Sequence, residues 1–240
     1  MKIKSAQKAF VLHTRAYREN QQIVNLLTEE EGSVAALVFV GQSKKSLKKG
    51  LLQPFLPIEV TLKENSKIQA ISQIESIGKS FTLVKYSLYS AFYVNELLIR
   101  LLSEQIPCQQ LFTQYQLTIT ALAQGKPIAP ELRYFELALL AELGLSFDFS
   151  PVFEYATDYF VYLDEQGFLP VYEAQNQKNQ SKCFSAKHLK IIAQQVMNAR
   201  VLTAAETAEI EMTFKRLMRQ VINQLLGDKT LNSRRLFAQK

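Results

Sequence analysis

The feature that most constrains this chain is a change of hydrophobic period near residue 80. Before it, apolar residues come in short runs: Ala9–Arg15, Ile23–Thr28, Val34–Val40, Ile58–Lys63 and Lys67–Ile74. Glu31-Gly32-Ser33 and Glu64-Asn65-Ser66 supply turn signals between them. Within Ile58–Lys63 apolar and polar residues alternate, as in a strand buried on one face. Five such strands suit a small closed barrel, and a five-stranded OB-fold is the natural size match.

Beyond residue 80 the pattern is helical. Phe81–Ile106 has no Gly or Pro and carries Leu83, Val84, Leu88, Phe92, Leu97, Leu98, Leu101 and Leu102 on a broad apolar face. Pro107 stops it. Leu111–Ala123 is predicted as a second helix, ended by Gly125-Lys126-Pro127, and Glu131–Leu143 as a third, closed by Gly144. Phe160–Tyr172 reads as a hairpin turning at Asp164–Gly167, followed by a polar loop, Gln175–Lys182. Ser185 is placed to cap a helix to Arg200. Thr203-Ala-Ala-Glu206 is a capping box for a last helix, which runs to Leu226 and ends at Gly227. The expected fold is α+β: an N-terminal OB-fold β-barrel, then a mainly α-helical domain with a small β-hairpin. The expected domains are 1–80 and 81–240, divided near Gly78–Phe81, with the hairpin inserted at about 151–182.

Composition narrows the function. The 240 residues are 48% hydrophobic with only 8 Gly and 7 Pro, which fits an ordered globular chain. The net charge of +6 is unevenly spread. Residues 1–80 carry net +5, residues 127–180 net −7 and residues 181–240 net +7. A polyanion would therefore meet the barrel and the C-terminal helices, not the acidic centre. The N-terminus has no long apolar run, so neither a signal peptide nor a membrane span is expected, and the cytoplasm is the expected compartment. Cys108 and Cys183 are expected as free thiols. Without a CxxC they are too few for a cysteine-built zinc site, so no metal and no cofactor is expected.

No nucleotide-binding glycine motif, serine nucleophile elbow or HExxH is present, and His13 and His188 lack triad or ligand-spaced partners. Asp164-Glu165 reads as a solvated hairpin turn. An enzyme is not expected.

What is present is basic. Lys44, Lys45, Lys48 and Lys49 lie between Gly41 and Gly50 on a predicted loop. Lysine ammonium groups act there as point charges for phosphates, giving affinity without reading bases. A solvated loop is the alternative reading. Arg15 joins this barrel set. Phe10, Tyr17, Phe39 and Phe55 are candidate stacking platforms, most of them expected to fill the barrel core. A second set is Lys215, Arg216 and Arg219 on the last helix, with Arg234 and Arg235 in the tail. Its alternative is a charged, solvated face.

Several blocks in order resemble the RecO family of bacterial recombination mediators. They are Ala9–Arg15, Leu27–Gly32, Gly41 to Phe55 with Lys45-Ser-Leu, and Tyr93–Leu98. They continue with Leu132–Leu140, Glu142-Leu-Gly144, Leu226-Gly227 and Leu231–Leu236. Many members of that family carry a four-cysteine zinc module after the third helix. Pro151–Ala174 has no cysteine, so this chain resembles the zinc-free branch, with the hairpin Tyr159–Tyr172 in that place.

The resemblance implies a nucleoid-associated protein that binds single- and double-stranded DNA and anneals complementary strands. It also implies binding of the acidic C-terminal tail of the single-stranded DNA-binding protein SSB. With RecR, such a protein helps RecA load onto SSB-coated DNA. Two basic surfaces on one body would screen the repulsion between strands and leave base edges free to pair. For the SSB tail the expected anchor is Arg133, the only basic residue between Pro127 and Asn176, with Leu117, Leu122 and Leu132 forming a slot for the terminal ring. An internal salt bridge from Arg133 to Glu136 or Glu131 is the alternative. Two other classes stay open: a metal-dependent nuclease or RNA-modifying enzyme with an OB-type arm, and a protein adaptor that touches DNA only incidentally.

Overall fold

The computed structural model describes residues 3–41, 47–64, 68–172, 183–198, 204–227 and 229–237. The described chain divides into two compact units, one of residues 1–143 with 231–240 and one of residues 144–230.

The first unit begins with a five-stranded closed barrel of β1 (Ile3–Arg18), β2 (Gln21–Thr28), β3 (Gly32–Phe39), β4 (Pro57–Lys63) and β5 (Gln69–Ser76). Its order, β1-β2-β3-β5-β4 and back to β1, is that of the OB-fold. The expected fold class is found. Strand β1 is far longer than the apolar run Ala9–Arg15 because it serves two neighbours. Its first half pairs with β4 and its second half with β2. Closure rests on a short parallel contact between β3 and β5, Ala36 opposite Gln69 and Leu37 opposite Ala70.

Residues 9 to 12 explain why the start of that run does not alternate. Ala9 and Val11 belong to the barrel core with Val24, Leu26, Val34, Val60 and Leu62. Phe10 is equally buried, but its ring lies 5.8 Å from Phe112 and 5.1 Å from Tyr115, in the helical layer. A strand buried on both faces reads as a continuous apolar segment. In β4, Thr61 breaks the expected alternation by being buried, and the β4–β5 register shifts between Thr61 and Leu62.

After the short α1 (Leu47–Leu51), α2 (Lys85–Leu101) and α3 (Gln109–Ala123) pack on the barrel, and α4 (Ile128–Glu142) packs on those two helices. The expected helix over 81–106 is therefore shorter at both ends; Phe81 lies outside it, and its amide donates to the Phe55 carbonyl at 2.9 Å. The third helix starts earlier than expected, taking Pro130 into its first turn, where the missing amide costs nothing.

The joint between barrel and helices is polar. Strand β1 has a bulge between Val11 and His13, and Leu12 falls out of the ladder with β2. Its carbonyl accepts a hydrogen bond from Asn95 Nδ2 at 3.0 Å, and Asn95 Oδ1 accepts one from Tyr115 Oη at 2.9 Å. All three residues are buried. Burial drives the Tyr115 phenol far above its ordinary range, so it stays a donor. Gly32 makes a second close approach. At φ 69°, a Cβ there would lie 1.9 Å from the Ile106 carbonyl oxygen, beside the bond from the Gln105 amide to the Ser33 carbonyl at 2.8 Å.

The chain end returns to this unit as α8 (Ser233–Leu236). Glu96 of α2 accepts hydrogen bonds from the Asn232 amide at 2.9 Å and from the Ser233 amide and hydroxyl at 2.8 and 2.7 Å.

The second unit holds α5 (Ser150–Glu154), the hairpin β6 (Tyr159–Leu163) and β7 (Gly167–Val171), β8 (Phe184–Ser185), α6 (Ala186–Asn198) and α7 (Ala204–Leu226). The hairpin and its turn at Asp164–Gly167 are as expected; α5 was not foreseen. Phe147, Phe149, Tyr162 and Phe168 form an aromatic core, with Phe149 stacked on Phe168 at 5.1 Å. The expected polar loop Gln175–Lys182, the helix end at Arg200 and the capping residue Thr203 lie outside the described residues.

Asn95→Ala leaves the Leu12 carbonyl and the Tyr115 hydroxyl buried without partners. It is expected to cost about 2–4 kcal/mol in chemical denaturation, and Tyr115→Phe about 1 kcal/mol. A loss below about 0.5 kcal/mol for Asn95→Ala would show that the joint carries no weight.

Candidate nucleic-acid interface

The candidate interface is built where strands run out of core. Past the β1 bulge the residues of β1 turn outward: Arg15 and Arg18 are exposed, and so is half of Tyr17. The guanidinium of Arg18 lies over the Tyr17 ring, 5.2 Å from its centroid. Across the sheet Arg18 pairs with Gln21, and Gln21 with Phe39. Phe39 ends β3 with 59% of its surface exposed. A cation, two exposed rings and Arg15 thus share the end of the β1–β2–β3 ladder. Phe10 and Phe55 are core residues, as most of the candidate platforms were expected to be. Arg18 was missed in the sequence reading. Its signal was a cation beside an aromatic at a strand end, just before Glu19-Asn20.

Lys48 and Lys49 lie on α1, not on an open loop; Lys48 is exposed and Lys49 half-buried. Lys44 and Lys45 lie outside the described residues.

The second basic set does not belong to one unit. Lys215, Arg216 and Arg219 are in the second unit, whereas Arg234 and Arg235 are in α8 of the first. Lys215 and Arg219 are exposed and share one face of α7. Arg216 is exposed as well, but its guanidinium is engaged. It donates to the Cys183 carbonyl and lies over the Phe184 ring at 4.4 Å from the centroid. Its guanidinium packs β8 against α7 while the side chain stays exposed.

Arg133 bonds Glu136, the alternative raised for it. Its Nη2 lies 2.9 Å from Glu136 Oε1, which also accepts the Tyr93 hydroxyl at 2.7 Å. Burial, and then the charge of Glu136, raises the Tyr93 phenol well above its ordinary range; the charges of Arg133 and Arg234 act the other way. Two further Arg133 nitrogens, Nε and Nη1, have no hydrogen-bond partner among the described residues. Of the apolar candidates, Leu117 is exposed and Leu132 half-buried. Leu122 is 1% exposed, so it is core and offers no surface to a ring.

His188 Nε2 lies 3.5 Å from Glu209 Oε2. His13 is exposed, and His188 Nδ1 lies 2.9 Å from Thr213 Oγ1, joining α6 to α7. Cys108 and Cys183 are buried, in different units. Burial, with a contribution from Glu142, pushes the Cys108 thiol up to about 11. Among the described residues no cluster of three His, Cys, Asp or Glu could hold a metal ion, and no helix is long and apolar enough to cross a membrane.

A closed OB-type barrel with cations and exposed rings at one end is the arrangement of a class of single-stranded nucleic-acid-binding modules. Two family descriptions match the sequence: Recombination protein O N terminal over residues 1–80 and Recombination protein O C terminal over residues 86–235. The DNA repair protein RecO of Pseudoalteromonas atlantica is 37% identical over 237 residues, 96% of this chain and 92% of its own. Those of Pasteurella multocida and Escherichia coli are each 35% identical, covering 99% and 97% of this chain and 96% and 93% of their own. The chain belongs to the RecO family of DNA repair proteins.

If Arg216 is structural, Arg216→Ala is expected to destabilise the second unit by about 1–3 kcal/mol. Arg219→Ala, on the exposed face, should change stability by less than about 0.5 kcal/mol. Equal effects of the two substitutions in thermal unfolding would contradict the assignment.

Proposed function

We propose that this protein is a non-enzymatic recombination mediator that binds single- and double-stranded DNA and anneals complementary strands. In this reading it also takes the acidic tail of SSB and, with RecR, helps RecA load onto SSB-coated DNA. Residues 1–80 would form the DNA-binding module and residues 81–240 the helical partner domain. The observation that carries the reading is the group Arg15, Tyr17, Arg18 and Phe39 at one end of an OB-type barrel. Rings with open faces next to cations suit a flexible, single-stranded polyanion whose bases are available for stacking.

Annealing follows from charge. Two strands repel through their phosphates, and each cation bound to a phosphate releases a condensed counterion. Arg15, Arg18, Lys48 and Lys49, together with Lys44 and Lys45, would hold one strand. Lys215 and Arg219 would hold the other. Contacts to phosphate leave the base edges unread, so complementarity alone decides which strands stay together. Pairing supplies the free energy, and no nucleotide hydrolysis is needed.

The SSB tail would be held at Arg133. Glu136 occupies Nη2 of its guanidinium. Nε and Nη1 are buried without hydrogen-bond partners among the described residues, so a tail carboxylate would have to open this site to reach them. Arg234 adds a second positive charge, and its field also reaches Tyr93. Leu117 and Leu132 are the remaining apolar candidates for the ring.

Two experiments test this. In energy-transfer assays with SSB-coated complementary oligonucleotides, changing Arg15, Arg18, Lys48 and Lys49 together to Gln should slow annealing at least about tenfold, one power of ten being about 1.4 kcal/mol. All strands should be recovered at full length with Mg²⁺ present. Unchanged annealing would remove the barrel from the mechanism, and cut strands would favour a nuclease. Separately, Arg133→Ala should weaken an SSB-tail peptide more than about tenfold, since losing half of a desolvated charge pair costs about 2–5 kcal/mol. Naked DNA should bind as before. Equal peptide affinity for variant and parent would place the anchor elsewhere.

A further inference from the structure

A second group of rings lies where α8 meets α2. Tyr86, Tyr89 and Phe237 form one cluster. Tyr86 and Phe237 are nearly parallel, with centroids 6.3 Å apart and 10° between planes, and Tyr89 meets both edge-on at 6.2 and 5.7 Å. Tyr86 is 58% exposed and Phe237 40%, so each keeps an open face. The surrounding sequence is cationic. Lys85 precedes Tyr86, and Arg235 lies two residues before Phe237; both are exposed. No acidic residue occurs between Phe81 and Asn95, or between Lys229 and Phe237.

The cluster is held in place by an unusual anchor. Glu96 accepts the Asn232 amide, the Ser233 amide and the Ser233 hydroxyl, and Arg100 Nη2 braces its other side at 2.6 Å. Burial pushes the Glu96 carboxyl up, but the Ser233 and Asn232 bonds and Arg100 outweigh this and hold it below its ordinary range. It is therefore ionised at neutral pH, and the terminus stays docked. Lys85 adopts φ 48°, a left-handed conformation that is unfavourable for a residue with a Cβ. The backbone of α8 is fixed while Tyr86 and Phe237 stay exposed and Lys85 and Arg235 face solvent.

We propose that Tyr86, Tyr89 and Phe237, with Lys85 and Arg235, form a second single-stranded DNA site on the helical side of the first unit, bases stacking on Tyr86 and Phe237. Charge selects the occupant. Rings flanked by cations, beside a Glu96 carboxylate already engaged by Arg100 and the α8 backbone, match a polyanion with exposed π-faces, and only unpaired strands offer such faces. The proposal deepens the DNA-binding reading and rests on it. It adds a place to hold a strand that does not depend on the barrel, as annealing requires.

The test uses the full chain. Tyr86→Leu and Phe237→Leu keep apolar bulk and remove stacking. Each should weaken oligothymidylate at least about fivefold at moderate salt, the effect expected for one lost stack. Duplex binding should be unchanged. In the unsubstituted protein, irradiating a 5-iodouracil-substituted single strand should place crosslinks on Tyr86, Tyr89 or Phe237 by peptide mapping. This readout needs no variant to fold. Tyr17→Leu with Phe39→Leu separates the two readings. If the barrel pair weakens binding while the terminal pair does not, and no crosslink falls on the cluster, the second site is refuted and the barrel reading stands. If neither pair matters, DNA binding through stacking fails altogether.

Discussion

The hydrogen bond from Asn95 to the Leu12 carbonyl is the interaction on which the first unit depends. A β-barrel this small has little interior, and its longest strand must be buried on both sides to contribute more. Burying both faces of β1 makes Ala9–Leu12 wholly apolar, and the bulge that coils the strand releases one carbonyl from the ladder into a dry interface. An unpaired carbonyl there would oppose docking of the helices. Asn95 satisfies it and passes its remaining demand to Tyr115. Apolar packing of Phe10 on Phe112 and Tyr115 then becomes favourable without a polar defect.

With β1 committed to the core up to the bulge, everything after it is free for the surface. Arg15, Tyr17 and Arg18 extend beyond the buried part of the strand, beside the end of β3 at Phe39. The same division recurs at the chain terminus. Glu96 fixes the backbone of α8, which leaves the Arg235 and Phe237 side chains to solvent. In both places rigid backbone carries cations and rings outward, the arrangement that a polyanion with stackable bases demands.

Much of this was legible in the residues. The change of period at residue 80, the hairpin turn at Asp164–Gly167 and the helix stops at Gly125 and Gly144 are local signals, and each appears where expected. The failures were non-local. The length of β1 depends on a partner strand some 50 residues away. Glu96 and Ser233 are 137 positions apart, so no local pattern announces that α8 docks on α2. Arg216 resembles its neighbours Lys215 and Arg219 in sequence, but only the placement of Phe184 decides that its guanidinium lies over a ring. Charge counts were informative about which segments are basic and silent about which cations are already engaged.

In the proposed function, cations displayed outside a joined barrel and helical layer hold single-stranded DNA through its phosphates. The salt dependence of oligothymidylate binding tests it most directly. Each phosphate engaged on a single strand should contribute about −0.7 to the slope of log affinity against log salt. Three to five contacts would give a linear plot with a slope of about −2 to −3.5. A slope near zero, or no binding even at low salt, would contradict the account.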